Sequence, residues 1–216
     1  MDPVVITPEV IESIRKFIAP FTDPVFEELG YYVADKIKFI RFKNSIDVLI
    51  KARKILEDHG LTPSHVDPKI IVHVLEGAGL ETEEDMVNRW AQLLASASTG
   101  GDVTPAFPAI LTQLTGIEAN ILDWLWNELI ERKNVKGAYP IPYVAISEAS
   151  EKFKLNRNDL FMAIDNLIRL RLIQTGGYFD TSQHESIIMG MTLSVTVLGN
   201  AFVRACSGIN KSLIDI

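Results

Sequence analysis

Between Pro24 and Gly60 the chain holds no proline and one glycine, Gly30, so almost nothing there forces the backbone out of a helix. The boundaries are signalled as well. In "DPVFEELG" Asp23 is placed to cap, Pro24 occupies the first helical position, and Glu27 and Glu28 sit near the positive end of the dipole. In "EDHGLTP" Gly60 is placed to close the helix in a left-handed conformation, with Pro63 just beyond. The pattern predicts one long helix, or two collinear ones, over 24–59, with Gly30 as its weak point. A shorter amphipathic segment, "TPEVIESIRKFIAP", precedes it. "PKIIVHVLEGA" predicts a further helix from Pro68, and "TEEDMVNRWAQLLASAS" another, with Thr82 as cap and Glu83, Glu84 and Asp85 in its first turn.

The second half carries a different pattern. "STGGDVTPAFP" combines two adjacent glycines with two prolines and small polar residues, the composition of a linker. Beyond it, "GIEANILDWLWNELIER" predicts a helix with Ile117, Ile121, Leu122, Trp124 and Leu125 on one face. Ala119, Trp126 and Ile130 form a second stripe, which is expected to meet the N-terminal helices or a partner subunit. Two more helices follow the turn-rich "NVKGAYPIP": one capped by Ser147, and one capped by Asn156 with Leu160, Ile164, Leu167 and Ile168 facing inward. "LIQTGGYFD" then runs into a double-glycine turn, "MTLSVTVLG" is strand-like, and "NAFVRAC" closes with a short helix. This order is similar to that of winged helix-turn-helix domains. The expected fold is mainly α: a helical domain over 1–98, a linker over 99–108, and a winged-helix-like α+β domain over 109–216.

Composition narrows the chemistry. An apolar fraction of 47% and a charged fraction of 23% are ordinary for a globular chain, and no apolar run is long enough to span a membrane. The first residues lack the basic-then-apolar pattern of a secretion signal, and the single cysteine, Cys206, forms no intrachain disulfide; a cytoplasmic location is expected. Of the four histidines, His59, His65, His73 and His184, none stands in a metal-ligand spacing, and Cys206 lies on the apolar face of its segment. "EGAGLETEED" places its acids in the first turn of a helix, where they serve the dipole and not a phosphate loop. With no catalytic, metal or nucleotide motif, neither an enzymatic activity nor a cofactor is expected.

Net charge is −7, with 11 basic against 17 acidic residues over 1–104 and 10 against 11 over 105–216, which argues against general affinity for polyphosphate. Within the acidic half, however, Lys36 to Lys54 carries seven cations against the single acid Asp47. Its core, "DKIKFIRFKN", interleaves Lys36, Lys38, Arg41 and Lys43 with four large apolar residues, and charged and apolar classes do not segregate as on an interfacial membrane helix. Two readings follow: cations paired inside an acidic helical cradle, or a docking site. Lys36, Lys38, Arg41, Lys43, Asn44 and Trp126 are the candidate interaction residues. Arg157, Arg169 and Arg171 are the candidate DNA contacts of a winged-helix regulator, the alternative reading. Asp159 and Asp165 leave that segment only weakly basic, and "TGGYFDTSQHES" adds no Lys or Arg.

"ELGYYVADKIKFIRFKNSIDVLIKARKILEDHGL", "PKIIVHVLEGAGLETEEDMVNRWAQLLASAS" and "PAFPAILTQLTGIEANILDWL", spanning residues 27–125, resemble the abortive-infection alpha proteins. This bacterial family is associated with phage resistance. Arg41, Phe42, Lys43, Asn44, Trp90 and Leu93 match its most recognisable positions. The resemblance implies a cytoplasmic defence protein without catalytic residues to carry over. The expectation is a non-enzymatic protein working through contact with a protein partner or by self-association.

Overall fold

The structure is a computed structural model that describes residues 36–133, 143–176 and 188–207. The expected N-terminal amphipathic helix, the Asp23–Pro24 start, Gly30, His184 and most of the double-glycine turn lie outside the described residues. The described chain is mainly helical with one small antiparallel sheet, and it divides into two compact units. Of the described residues, 36–112 and 205–207 form the first, and those from 113 to 204 the second. No helix of the described residues is long and apolar enough to cross a membrane.

The first unit is built from α1 (Lys36–Asp58), α2 (Pro68–Ala78), α3 (Glu84–Ser98) and α4 (Ala106–Leu111). Helix α1 ends as the sequence predicts. Gly60 takes a φ of 64°, its N–H donates to the Glu57 carbonyl at 3.0 Å, and the Leu61 N–H donates to the Leu56 carbonyl at 2.9 Å. Helix α2 begins at Pro68, behind an Asp67 carboxylate that accepts the Lys69 N–H at 2.8 Å. Thr82 does not cap. Helix α3 starts at Glu84 with no side-chain cap bond from Glu83, and the Glu81 carboxylate instead accepts the N–H groups of Thr82 and Glu83, just ahead of the helix, at 2.8 and 3.0 Å. Within the Gly- and Pro-containing stretch, α4 buries Phe107, Pro108, Ile110 and Leu111.

The core of this unit collects Val48, Leu49, Ala52 and Leu56 of α1, Ile71, Val74 and Leu75 of α2, and Met86, Trp90, Leu93 and Leu94 of α3. Trp90, 1% exposed, is the largest of them. Its indole fills the space a side chain on Gly77 would need: a Cβ there would lie 2.4 Å from Trp90 Cη2 and 2.8 Å from Thr112 Cγ2. Trp90 Nε1 is buried without a hydrogen-bond partner, so this residue contributes through shape and apolar area.

The second unit runs α5 (Gly116–Lys133), β1 (Val144–Ala145), α6 (Ile146–Phe153), α7 (Arg157–Arg169), β2 (Ile173–Thr175), β3 (Thr192–Val195) and α8 (Val197–Cys206) up to Arg204. Strand β3 is central, antiparallel to both neighbours, with Val144 opposite Leu193 and Gln174 opposite Ser194. Helix α5 is used on more than one face. Ala119, Ile121, Leu122, Leu125 and Trp126 are all buried, whereas Ile117, expected to face inward, is exposed. Trp126, expected to meet the N-terminal helices or a partner subunit, is 3% exposed and donates from Nε1 to Asn200 Oδ1 of α8 at 3.2 Å. One contact of this stripe is therefore made within the same unit. Asn156 caps α7 as predicted, accepting the Asp159 N–H at 3.0 Å. Ser147 caps nothing. Helix α6 starts one residue before it, at Ile146, and Glu148 reaches back to the Ala145 N–H at 3.0 Å.

Two polar clusters tie the second unit together. Thr115 and Glu118 form a capping box at the start of α5: the carboxylate accepts the Thr115 N–H at 2.7 Å and its hydroxyl at 2.9 Å. The same buried carboxylate accepts Asn166 Nδ2 of α7 at 2.8 Å. At the other end of α5, Arg132 donates to both oxygens of Glu148, to the Tyr143 carbonyl, and pairs with Glu128 at 3.6 Å. The Arg132 guanidinium, and then the Ala145 N–H, hold the Glu148 carboxyl below the ordinary carboxylate range.

Alanine for glycine inside a helix ordinarily stabilises by up to about 1 kcal/mol. Gly77→Ala is expected to do the opposite, destabilising by about 1–3 kcal/mol because Trp90 must leave its place, as thermal unfolding would register. Because the Glu148 pKa is depressed by folding, its stabilisation is present above the unfolded carboxylate pKa and disappears as pH falls through the folded value. The melting temperatures of the parent and of Glu148→Gln should therefore differ at neutral pH and converge in acid.

Candidate interaction site

The rotation of α1 about its own axis decides which of its cations reach solvent, and two neighbouring polar residues set that rotation. Asn44 donates from Nδ2 to the carbonyls of Gly79 and Glu81, at 3.2 and 3.0 Å, gripping the turn between α2 and α3. Ser45, buried, shares its hydroxyl between the Arg41 carbonyl at 2.9 Å and the Leu75 carbonyl at 2.8 Å. The Asn44 contacts satisfy two carbonyls beyond the end of α2, and Ser45 adds a second donor to the Leu75 carbonyl, which also accepts the Gly79 N–H. Ile46, Val48, Leu49, Ala52 and Leu56 are buried with them.

What remains outward is a stripe. Lys43, Asp47, Ile50 and Lys54 follow one another at intervals of four, three and four residues, the spacing of one helical face, and all four are exposed. Ile50 is 49% exposed in the middle of it. Arg41 is also exposed. The side chains of Arg41, Lys43 and Lys54 have no hydrogen bond or ion pair with any described residue. Two other cations of the helix are engaged: Lys51 pairs with Glu84, donates to Asn88 Oδ1 at 2.9 Å and lies 4.0 Å from Asp47, and Arg53 pairs with Glu57 at 2.7 Å. The two sequence readings thus apply to different residues. Lys51 sits in an acidic cradle, and Arg41, Lys43 and Lys54 stand in solvent. Lys36 and Lys38 lie on α1, but their side chains are outside the described residues.

The matched "RFKN" run divides in the same way. Asn44 is occupied by a structural clamp, Phe42 is half-buried, and Arg41 and Lys43 point out. Trp90 and Leu93 are both core. Trp126, buried in the second unit, contributes nothing to the α1 stripe.

The three arginines of the second unit are not equivalent. Arg157 is exposed, with its guanidinium carbon 5.2 Å from the Phe161 ring centroid. Arg169 donates to Asn166 Oδ1 from Nε and Nη2, at 3.0 and 2.7 Å, and to Gln113 Oε1 at 3.1 Å. Arg171 is exposed, and its side chain has no partner among the described residues. No group of three or more metal-ligating side chains comes together among the described residues. Residues that sequence reasoning passed over include Ser45, Gln113, Thr115, Glu118 and Asn166. Of these, Thr115 and Glu118 were signalled by the T-x-x-E spacing of "TGIE".

A helical core that pins a cationic stripe outward, joined in sequence to a helix-rich unit with a small sheet, describes a mainly helical protein with exposed charge. The chain belongs to the abortive infection alpha family, whose model matches residues 36–206. Membership suggests a part in abortive infection, that is, phage defence. The resemblance seen in the sequence stops near residue 125, whereas the family match continues through the second unit. No match is found among curated proteins or among solved structures.

Asn44→Ala removes both bonds to the α2–α3 turn and should destabilise by about 1–3 kcal/mol, whereas Lys43→Ala should change stability by less than about 0.5 kcal/mol. Urea titration of the two variants checks the contrast.

Proposed function

We propose that this protein acts in phage defence without catalysis of its own, by binding another protein in the cytoplasm through the outer face of α1. One observation carries the reading. Arg41, Lys43 and Lys54 stand exposed and unpaired among the described residues, although the chain as a whole carries a charge of −7. Within that acidic excess, Lys43 and Lys54 flank an exposed isoleucine on one face of α1 without a partner among the described residues, while Arg41 stands on the opposite side of the helix. Charge of that kind adds association rate and selectivity for an acidic surface, and Ile50 offers an apolar contact at its centre.

We read the second unit as a winged-helix module. In its support, α5, β1, α6, α7, β2 and β3 follow in the order of that fold, with α6 and α7 as the helix-turn-helix pair. A DNA-reading role draws less support than protein contact. Arg169 is engaged by Asn166 and Gln113, Arg157 lies over Phe161, and Asp165 stands exposed between them.

The test is charge reversal at Lys43 and Lys54, in cells challenged with phage. The double glutamate variant should melt within a degree or two of the parent, since neither side chain has a partner among the described residues to lose. It should nevertheless give up most of the protection measured as plaque reduction. Full protection by a folded double variant would refute the assignment of the α1 face.

A further inference from the structure

Two non-glycine residues among those described hold a positive φ: Lys154 at 52° and Arg171 at 61°. Each closes a helix. The Lys154 N–H donates to the Ser150 carbonyl at 2.9 Å, ending α6. The Arg171 N–H donates to the Ile168 carbonyl at 2.9 Å while the Leu172 N–H reaches the Leu167 carbonyl at 3.0 Å, ending α7. This is the geometry that glycine adopts without steric penalty, as Gly60 does at the end of α1. The hydrogen bonds are made by backbone alone, so neither cationic side chain is needed for the turn. Both are exposed, and neither has a hydrogen bond or ion pair with a described residue.

These two strained cations bracket one helix. Lys154 stands just before α7 and Arg171 just after it, so the thirteen residues of α7 separate them by roughly 20 Å. Between them the outward face of α7 presents Asn158, Met162, Asp165 and Arg169, one helical stripe opposite the buried Leu160, Ile164 and Leu167. Met162 is 70% exposed at its centre. Strain kept at an exposed position, where a glycine would relieve it, points to a use for the side chain.

We propose that this face of α7 is a docking site for an acidic protein segment. Carboxylates at two points about 20 Å apart pair with Lys154 and Arg171, and an apolar side chain between them packs on Met162. Nucleic acid fits the face less well. Arg169 is tethered to Gln113 and Asn166, and a methionine offers no hydrogen bond to a base edge. The site lies wholly in the second unit and does not rest on the α1 reading.

The full chain is titrated against a fluorescent helical peptide of about 18 residues, with glutamates at both ends and leucines between. Binding is read by anisotropy, with a duplex DNA of similar length in parallel. The parent should bind the peptide, and Lys154→Gly with Arg171→Gly should weaken it at least about tenfold while raising the melting temperature, because glycine relieves both left-handed residues. Arg171→Gln, which keeps the strain and removes the charge, should also weaken binding; Arg171→Lys should retain it. The Lys43 and Lys54 glutamate variant should bind the peptide like the parent, which separates this site from the α1 face. No binding by the parent, equal binding by the double glycine variant, or preference for the duplex would each overturn the proposal.

Discussion

The grip of Asn44 and Ser45 on the carbonyls of Leu75, Gly79 and Glu81 governs how the first unit presents its charge. Helix α1 is polar and apolar around much of its circumference, so burial alone leaves its rotation loosely specified. Directional bonds remove that freedom. Once Asn44 and Ser45 face the end of α2, the helical period carries Leu49, Ala52 and Leu56 inward and Lys43, Ile50 and Lys54 outward. The exposed stripe thus follows from these side-chain bonds together with the burial of Ile46, Val48, Leu49, Ala52 and Leu56. Trp90 then fixes the distance at which α2 and α3 meet, since its ring occupies the volume a Gly77 side chain would take.

The second unit solves a different problem. Its central helix α5 has apolar residues on more than one side, and a helix of that kind has to be covered from several directions. Trp126 with Asn200 of α8 covers one side, and Trp124 meets Phe153 of α6 edge-on, with ring centroids 5.6 Å apart. The buried Glu118 is tolerable because its oxygens accept from Thr115 and Asn166, which also ties the start of α5 to α7. That tie reaches Arg169 through Asn166, so part of the charge on α7 serves the fold.

Helices with their own punctuation were legible in the sequence: the start of α2 at Pro68, the end of α1 at Gly60, and the start of α7 at Asn156. Each signal is local, a residue acting on backbone groups within a turn of itself. Features that depend on distant partners were not legible. Strand β1 is two residues long and exists because β3 lies beside it. The covering of Trp126 depends on Asn200, seventy-four positions away. The candidate site was legible only as a basic segment. Which cations are paired and which are free depends on Glu84 and Asn88 meeting Lys51 from another helix, information that composition and periodicity do not contain.

Charge and backbone geometry select different residues, and the difference bears on function. On α1 the cations without a partner among the described residues lie on an unstrained helix, where a solvated lysine is an ordinary surface residue. Their significance rests on the acidity of the rest of the chain and on the isoleucine among them. At Lys154 and Arg171 a left-handed backbone carries a penalty of about 1 kcal/mol each relative to glycine, against a total stability of only about 5–15 kcal/mol for a typical domain. The backbone hydrogen bonds that close α6 and α7 offset that penalty in part, and the two cationic side chains add no contact with the described residues. An acidic partner across the face of α7 would add two charge pairs at once, and the rigid helix between the two cations would set the spacing that partner must match.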